Sequence, residues 1–157
     1  MPEKTVTHNT FVIERSYPAT PERVFSAFSD PAKKRRWFAE GEGFAVESYE
    51  LDFRIGGRES CRFLSPVDSP LKGAPLSNET WYQDIVPNKR IVLAYTMAVA
   101  DQRISASLST FELIPTGEGT SLIFTEQAAF FENSDGPKMR EDGWRELLER
   151  LAKEFAQ

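Results

Sequence analysis

A chain of 157 residues, 40% hydrophobic and 27% charged, has the balance of one globular domain, long enough to bury about 68–70% of the surface its unfolded form exposes. Its net charge of −5 repels phosphate backbones and anionic lipid surfaces, which argues against nucleic acid as a partner. No stretch of eighteen apolar residues is present to span a membrane, and the lone Cys61 excludes an intrachain disulfide framework and fits a reducing compartment, so the cytoplasm is the expected location.

Residues 1–9 are expected to be a disordered tail. Residues 10–17, rich in β-branched and aromatic types, predict a first strand stopped by Pro18. Thr20-Pro21-Glu22 then supplies a cap, a proline at the first helical position and an early acidic residue, which predicts a short helix over 21–28. Asp30-Pro31 repeats that signal and opens a second short helix that ends on Trp37-Phe38. Its Lys33-Lys34-Arg35-Arg36 run reads as a solvated helix face.

From residue 44 to 130, short alternating runs separated by turn chemistry predict an antiparallel meander of six strands: 44–51, 52–63, 77–86, 90–97, 104–114 and 120–130. Gly56-Gly57 is expected to form a bulge inside the second of these runs. Residues 65–76, with three prolines and a glycine, predict a longer loop. Over 136–157 the period returns to that of a helix, with Trp144, Leu147, Leu148, Leu151 and Phe155 on one apolar stripe. No repeat or linker divides the chain, so a single domain is expected.

Strand, helix pair, meander and long helix can bury one sheet face and the helix stripe together only if the last helix lies across the sheet, an α+β arrangement. The run Ala19-Thr20-Pro21-Glu22-Arg23-Val24-Phe25-Ser26-Ala27-Phe28-Ser29-Asp30-Pro31, followed by Trp37-Phe38, resembles the opening motif of the START-like (SRPBCC) superfamily. Within it, the chain is most similar to the bacterial homologues of the activator of heat-shock protein ATPase. Asp52-Phe53-Arg54-Ile55-Gly56-Gly57, Asp84-Ile85-Val86-Pro87-Asn88-Lys89-Arg90-Ile91, Thr110-Phe111-Glu112-Leu113, Gly119-Thr120-Ser121-Leu122 and Gly143-Trp144 follow in the family's order. The resemblance implies a helix-grip fold, in which a curved antiparallel sheet (β-α-α-β6-α) wraps a long C-terminal helix around an enclosed apolar pocket. It also implies a chaperone as a possible partner in a stress response.

The chemistry of the side chains narrows the function. His8 and Cys61 are too few to build a zinc site, and no P-loop or dinucleotide fingerprint is present, so no metal and no cofactor are expected. Cys61 lacks a histidine base and reads as a small apolar strand residue. Twelve phenylalanines, three tryptophans and four tyrosines make an aromatic interior, lined in this reading by Trp37, Phe38, Phe53, Phe63, Trp81, Tyr95, Phe124, Glu126, Trp144 and Leu148, with Phe111 as further core.

Three charged residues fall inside strand patterns: Arg54, Glu79 and Glu126. Alternation puts Glu126 inward if Leu122 and Phe124 point inward, and puts Arg54 on the face opposite Phe53 and Ile55. Glu79 and Glu126 read equally well as members of edge salt bridges.

The first expectation is therefore a binding module for a small hydrophobic or aromatic molecule, oriented by Glu126 or Tyr95, with no catalytic residue. The alternatives are a cyclase- or hydratase-like enzyme using Glu126 or Glu79 as acid or base, and an interaction domain that serves a chaperone. An exposed sheet face or edge allows either a monomer or a homodimer.

Overall fold

The structure, a computed structural model, describes residues 4–41 and 44–156. Seven strands form one antiparallel sheet in the order β1-β7-β6-β5-β4-β3-β2: β1 Thr7–Tyr17, β2 Ala45–Leu51, β3 Arg58–Leu64, β4 Pro75–Val86, β5 Arg90–Val99, β6 Gln102–Thr116 and β7 Gly119–Phe130. Three helices complete it: α1 Pro21–Ser29, α2 Pro31–Lys34 and α3 Pro137–Ala152. This is the α+β helix-grip arrangement the sequence predicts. Register shifts at Val46/Ser48, Tyr82/Asp84 and Met97/Ala98 bend the sheet, because an extra residue on one strand raises the local twist.

The helix starts follow the capping chemistry. Thr20 Oγ1 accepts from the Arg23 amide at 3.2 Å, and Asp30 Oδ1 accepts from the Ala32 amide at 2.9 Å. Beyond α2 the chain continues as a π-helical turn, Arg35–Ala39, which turns Trp37 into the core, where its indole N–H donates to the Ala27 carbonyl at 2.8 Å.

Besides shifts of one or two residues at the ends of β4, β5 and β6, three features differ from the sequence reading. β1 begins at Thr7, paired with Phe130, so residues 7–9 are strand and not tail; residues 1–3 of that expected tail lie outside the described ones. Gly56-Gly57 is not a bulge within a strand: residues 52–57 form the turn between β2 and β3. A Cβ on Gly57 would stand 2.1 Å from the Asp52 carbonyl oxygen, and the Gly57 amide closes the turn on the Arg54 carbonyl at 2.8 Å. Finally, α3 ends at Ala152 and not near residue 157, which is outside the described residues. Phe155, in the turn that follows, still packs its ring 5.3 Å from that of Tyr17.

One apolar cluster joins the inner sheet face to the helices through Phe11, Ile13, Phe28, Trp37, Phe111, Phe124, Trp144, Leu148 and Leu151. The α3 members recur at helical spacing, so one stripe of that helix lies against the sheet.

Candidate functional site

Strand register lays out the floor between the sheet and α3. Across the sheet, Thr80, Tyr95, Ser107 and Ala128 form one row, and Glu126 is flanked by Ser109 on β6 and Phe11 on β1. Alternation along β7 brings Leu122, Phe124, Glu126 and Ala128 to the same buried face, as the sequence predicts for Glu126. Trp144 closes down from α3, its ring 4.5 Å from Phe124, 5.9 Å from Phe111 and 6.2 Å from Phe38, which in turn stands 5.8 Å from Trp37. Leu148, fully buried one turn on, accepts from the Tyr17 hydroxyl at 2.9 Å through its carbonyl. Thus Trp37, Phe38, Tyr95, Phe124, Glu126, Trp144 and Leu148 come together.

Two expected lining residues, Trp81 and Phe63, do not join them, and Phe53 packs against the cluster from the side of Tyr82. Trp81 lies on the outer face, 40% exposed, with the Arg58 guanidinium 4.7 Å from its ring centre, because its neighbours Thr80 and Tyr82 take the inward positions. Phe53 packs with Phe25 and Tyr82, and Phe63 with Phe44. Arg54 is exposed and paired with Asp52 at 2.8 Å, while Glu79 accepts from Ser60 and pairs with Arg58 at 3.2 Å on the outer face.

Rings occupy much of the space where an enclosed pocket is expected. Glu126, Ser105 and Ser109 on the floor keep none of their surface exposed, like Phe124, Leu148 and Leu151, and Tyr95, Ser107, Ala128 and Trp144 keep 7% each. Two surface hollows lie elsewhere. One, of about 460 Å³, is lined by Pro18, Thr20, Arg23, Thr116 and Glu118, and the other, of about 360 Å³, by Leu51, Asp52 and Arg58.

The floor carries a buried polar network. Tyr95 donates its hydroxyl hydrogen to Glu126 Oε1 at 2.8 Å, and Ser109 donates to the same oxygen at 3.0 Å. Arg140 Nη1 and Trp144 Nε1 donate to the Tyr95 oxygen at 3.0 and 3.3 Å. Arg140 also reaches Ser105 Oγ at 2.8 Å and holds Asp135 in a two-pronged pair at 2.8 and 2.9 Å. Three atoms on this face are buried without a partner among the described residues: Glu126 Oε2, Ser107 Oγ and Asn78 Oδ1. Burial pushes the Glu126 carboxyl above the ordinary carboxylate range, and Arg140, Tyr95 and Ser109 only partly oppose it. Burial, with Glu126 beside it, likewise holds the Tyr95 phenol protonated far above its usual range.

A second buried cluster joins the helix pair to the sheet. Lys34 Nζ donates to both oxygens of Glu59, at 3.0 and 2.9 Å, and lies 4.3 Å from the centre of the Phe38 ring. Tyr82 donates to Glu59 Oε1 at 2.9 Å and Tyr49 donates to Oε2. Every oxygen of the carboxylate is therefore engaged, so the cluster is a closed clamp. Nearby Cys61 is buried, and burial, with the Glu59 charge, pushes its thiol up to about 12, which makes it a poor nucleophile. Lys34, 3% exposed, corrects the reading of the basic run as wholly solvated: the π-helical turn that follows it carries Phe38 under the ammonium.

The family model described as Activator of Hsp90 ATPase homolog 1-like protein matches residues 18–156. The chain belongs to that family. Several solved structures of the START-like type resemble this member of the Activator of Hsp90 ATPase homolog 1-like family. The Mll3558 protein of Rhizobium loti is 49% identical, with 96% of this chain and 99% of that chain covered and a TM-score of 0.84. A protein of Rhizobium leguminosarum is 38% identical over 96% and 95% of the two chains, with a TM-score of 0.87. The CV1439 protein of Chromobacterium violaceum is 29% identical over 94% and 96%, with a TM-score of 0.77. No curated protein matches.

Sequence reasoning misses Arg140, Ser105, Ser107, Ser109 and Asn78 on the floor of this Activator of Hsp90 ATPase homolog 1-like chain, and Lys34, Glu59 and Tyr49 in the clamp. Two of them leave a signal. Arg140 precedes Trp144 by four residues and so extends the α3 stripe. Glu59 alternates with Cys61 and Phe63, which marks it as inward. The serines share the period-two face of Phe111 and Leu113, but Ile104, Ala106 and Leu108 on the other face mask that signal.

Proposed function

We propose that the chain binds a small, largely apolar or aromatic molecule between the inner sheet face and α3. The observation that carries this reading is the pair of partnerless polar atoms Glu126 Oε2 and Ser107 Oγ, one row apart on the floor of an aromatic interior. A buried polar atom without a partner costs stability, and a ligand that satisfies it recovers that cost. The small side chains of Ser107 and Ala128 stand beside Glu126 on the floor, and the rings of Phe38 and Trp144 supply the apolar walls. Glu126 and Tyr95 fix the orientation.

A thermal-shift screen with small aromatic and lipid-like compounds tests the proposal. Compounds that enter raise the unfolding midpoint with the logarithm of one plus their concentration over Kd, and Ser107→Phe, which fills the floor, abolishes the rise. A panel that moves neither protein overturns the reading.

Acid catalysis of a cyclase- or hydratase-type step by Glu126 is a second reading, supported by the same upward-shifted carboxyl. It ranks behind binding because an acid alone does not make a reaction. A chaperone contact is a separate proposal, carried only by the family's description.

A further inference from the structure

The hydrogen-bond directions around Glu126 assign its two oxygens different roles. Arg140 Nη1 and Trp144 Nε1 can only donate, and both point at the Tyr95 oxygen. Tyr95 has one hydrogen, and it goes to Glu126 Oε1 at 2.8 Å; Ser109 donates to that oxygen as well. Two hydrogens already directed at Oε1 leave Oε2 as the place for an acidic proton. Oε2 is also the oxygen that lacks a partner, and one row along the floor is Ser107, whose Oγ is partnerless too. In its neutral form Glu126 therefore presents an O–H donor to the interior, next to a serine hydroxyl.

We propose that the site takes a neutral, mainly apolar molecule bearing a carbonyl oxygen, which accepts a hydrogen bond from the carboxylic acid of Glu126 through Oε2. The inference rests on the ligand-binding reading above and names the chemical class it selects. A carboxylate-bearing ligand would face the buried acid and Asp135; an aliphatic hydrocarbon would leave Oε2 unsatisfied. A carbonyl compound meets the donor, and its apolar body meets Trp144, Phe124 and Phe38.

Binding is then linked to a proton. The groups that face Glu126 are Tyr95 from β5, Ser109 from β6, the uncharged Phe11 from β1, and Arg140 from α3 with its partner Asp135. Burial raises the Glu126 pKa, so the competent acid form is complete below the folded-state value and is lost as pH rises through it. Above that value the share of the affinity that the hydrogen bond supplies is lost with the protonated fraction, and binding weakens to the level of the bare hydrocarbon.

The test is an NMR titration of the intact chain with 1-indanone and with indane, which share a skeleton and carry no titratable group. We expect 1-indanone to bind about five- to tenfold more tightly than indane at the acid end, the value of one hydrogen bond, and to lose that advantage as Glu126 ionises. Glu126→Gln, whose amide can accept at Oε1 and donate through Nε2 in the place of Oε2, should keep the ketone preference and lose its pH dependence. Glu126→Leu should bind both compounds alike. Equal affinities with no pH response in the unaltered chain overturn the inference and leave the ligand-binding reading standing. If neither compound binds, both fall.

Discussion

Trp144→Ala is expected to cost about 3–5 kcal/mol of stability in urea unfolding, a large part of the 5–15 kcal/mol typical of a folded domain. The ring is buried and in contact with Phe124, Phe111 and Phe38, and its indole N–H donates to Tyr95. The truncation therefore opens a cavity where α3 meets the sheet and removes one of the two donors to the Tyr95 oxygen. Glu149→Ala, on the exposed side of the same helix in a solvent-facing pair with Arg15, should change stability by no more than about 0.5 kcal/mol. If both variants unfold at the same urea concentration, α3 is not gripped by the sheet.

A comparable loss is expected from Glu59→Leu. Lys34 and Glu59 are both almost fully buried, their charges 2.9 Å apart, and removing one partner of such a pair costs about 3–5 kcal/mol because the other charge stays in a low-dielectric setting. Here Tyr49 and Tyr82 also lose their acceptor. The double variant Lys34→Met, Glu59→Leu should recover most of the loss, since an apolar pair of similar volume is often neutral. A double variant no more stable than Glu59→Leu would mean that the tyrosines, not the stranded ammonium, set the cost.

The architecture was legible in the sequence because its signals are local and mutually consistent. Thr20-Pro21 and Asp30-Pro31 mark helix starts by capping chemistry, β6 and β7 alternate cleanly, and the α3 stripe repeats with the right period. The site was legible where a period marks the buried side, strand alternation for Glu126 and the helical stripe for Trp144 and Leu148, and where aromatic content marks the interior, as for Tyr95. Trp81 was misplaced because an aromatic in a strand suits either face of a sheet, and only the pairing of β4 with β3 and β5 shows which face is inner. The Gly56-Gly57 turn was misread because a glycine pair serves a bulge and a turn equally well; the close approach of Gly57 to the Asp52 carbonyl selects the turn. Lys34 escaped notice because three other basic residues surround it, and its burial depends on Glu59, twenty-five positions away in the chain.

The most direct test of the ligand-binding account is chemical-shift mapping of the intact chain with bound 1-indanone. The account predicts that the largest perturbations fall on Ser107, Ser109, Glu126, Ala128 and the Trp144 indole N–H, around the partnerless Glu126 Oε2. Perturbations confined to the surface hollow lined by Pro18, Thr20, Arg23, Thr116 and Glu118, with Glu126 and Trp144 unmoved, would contradict it.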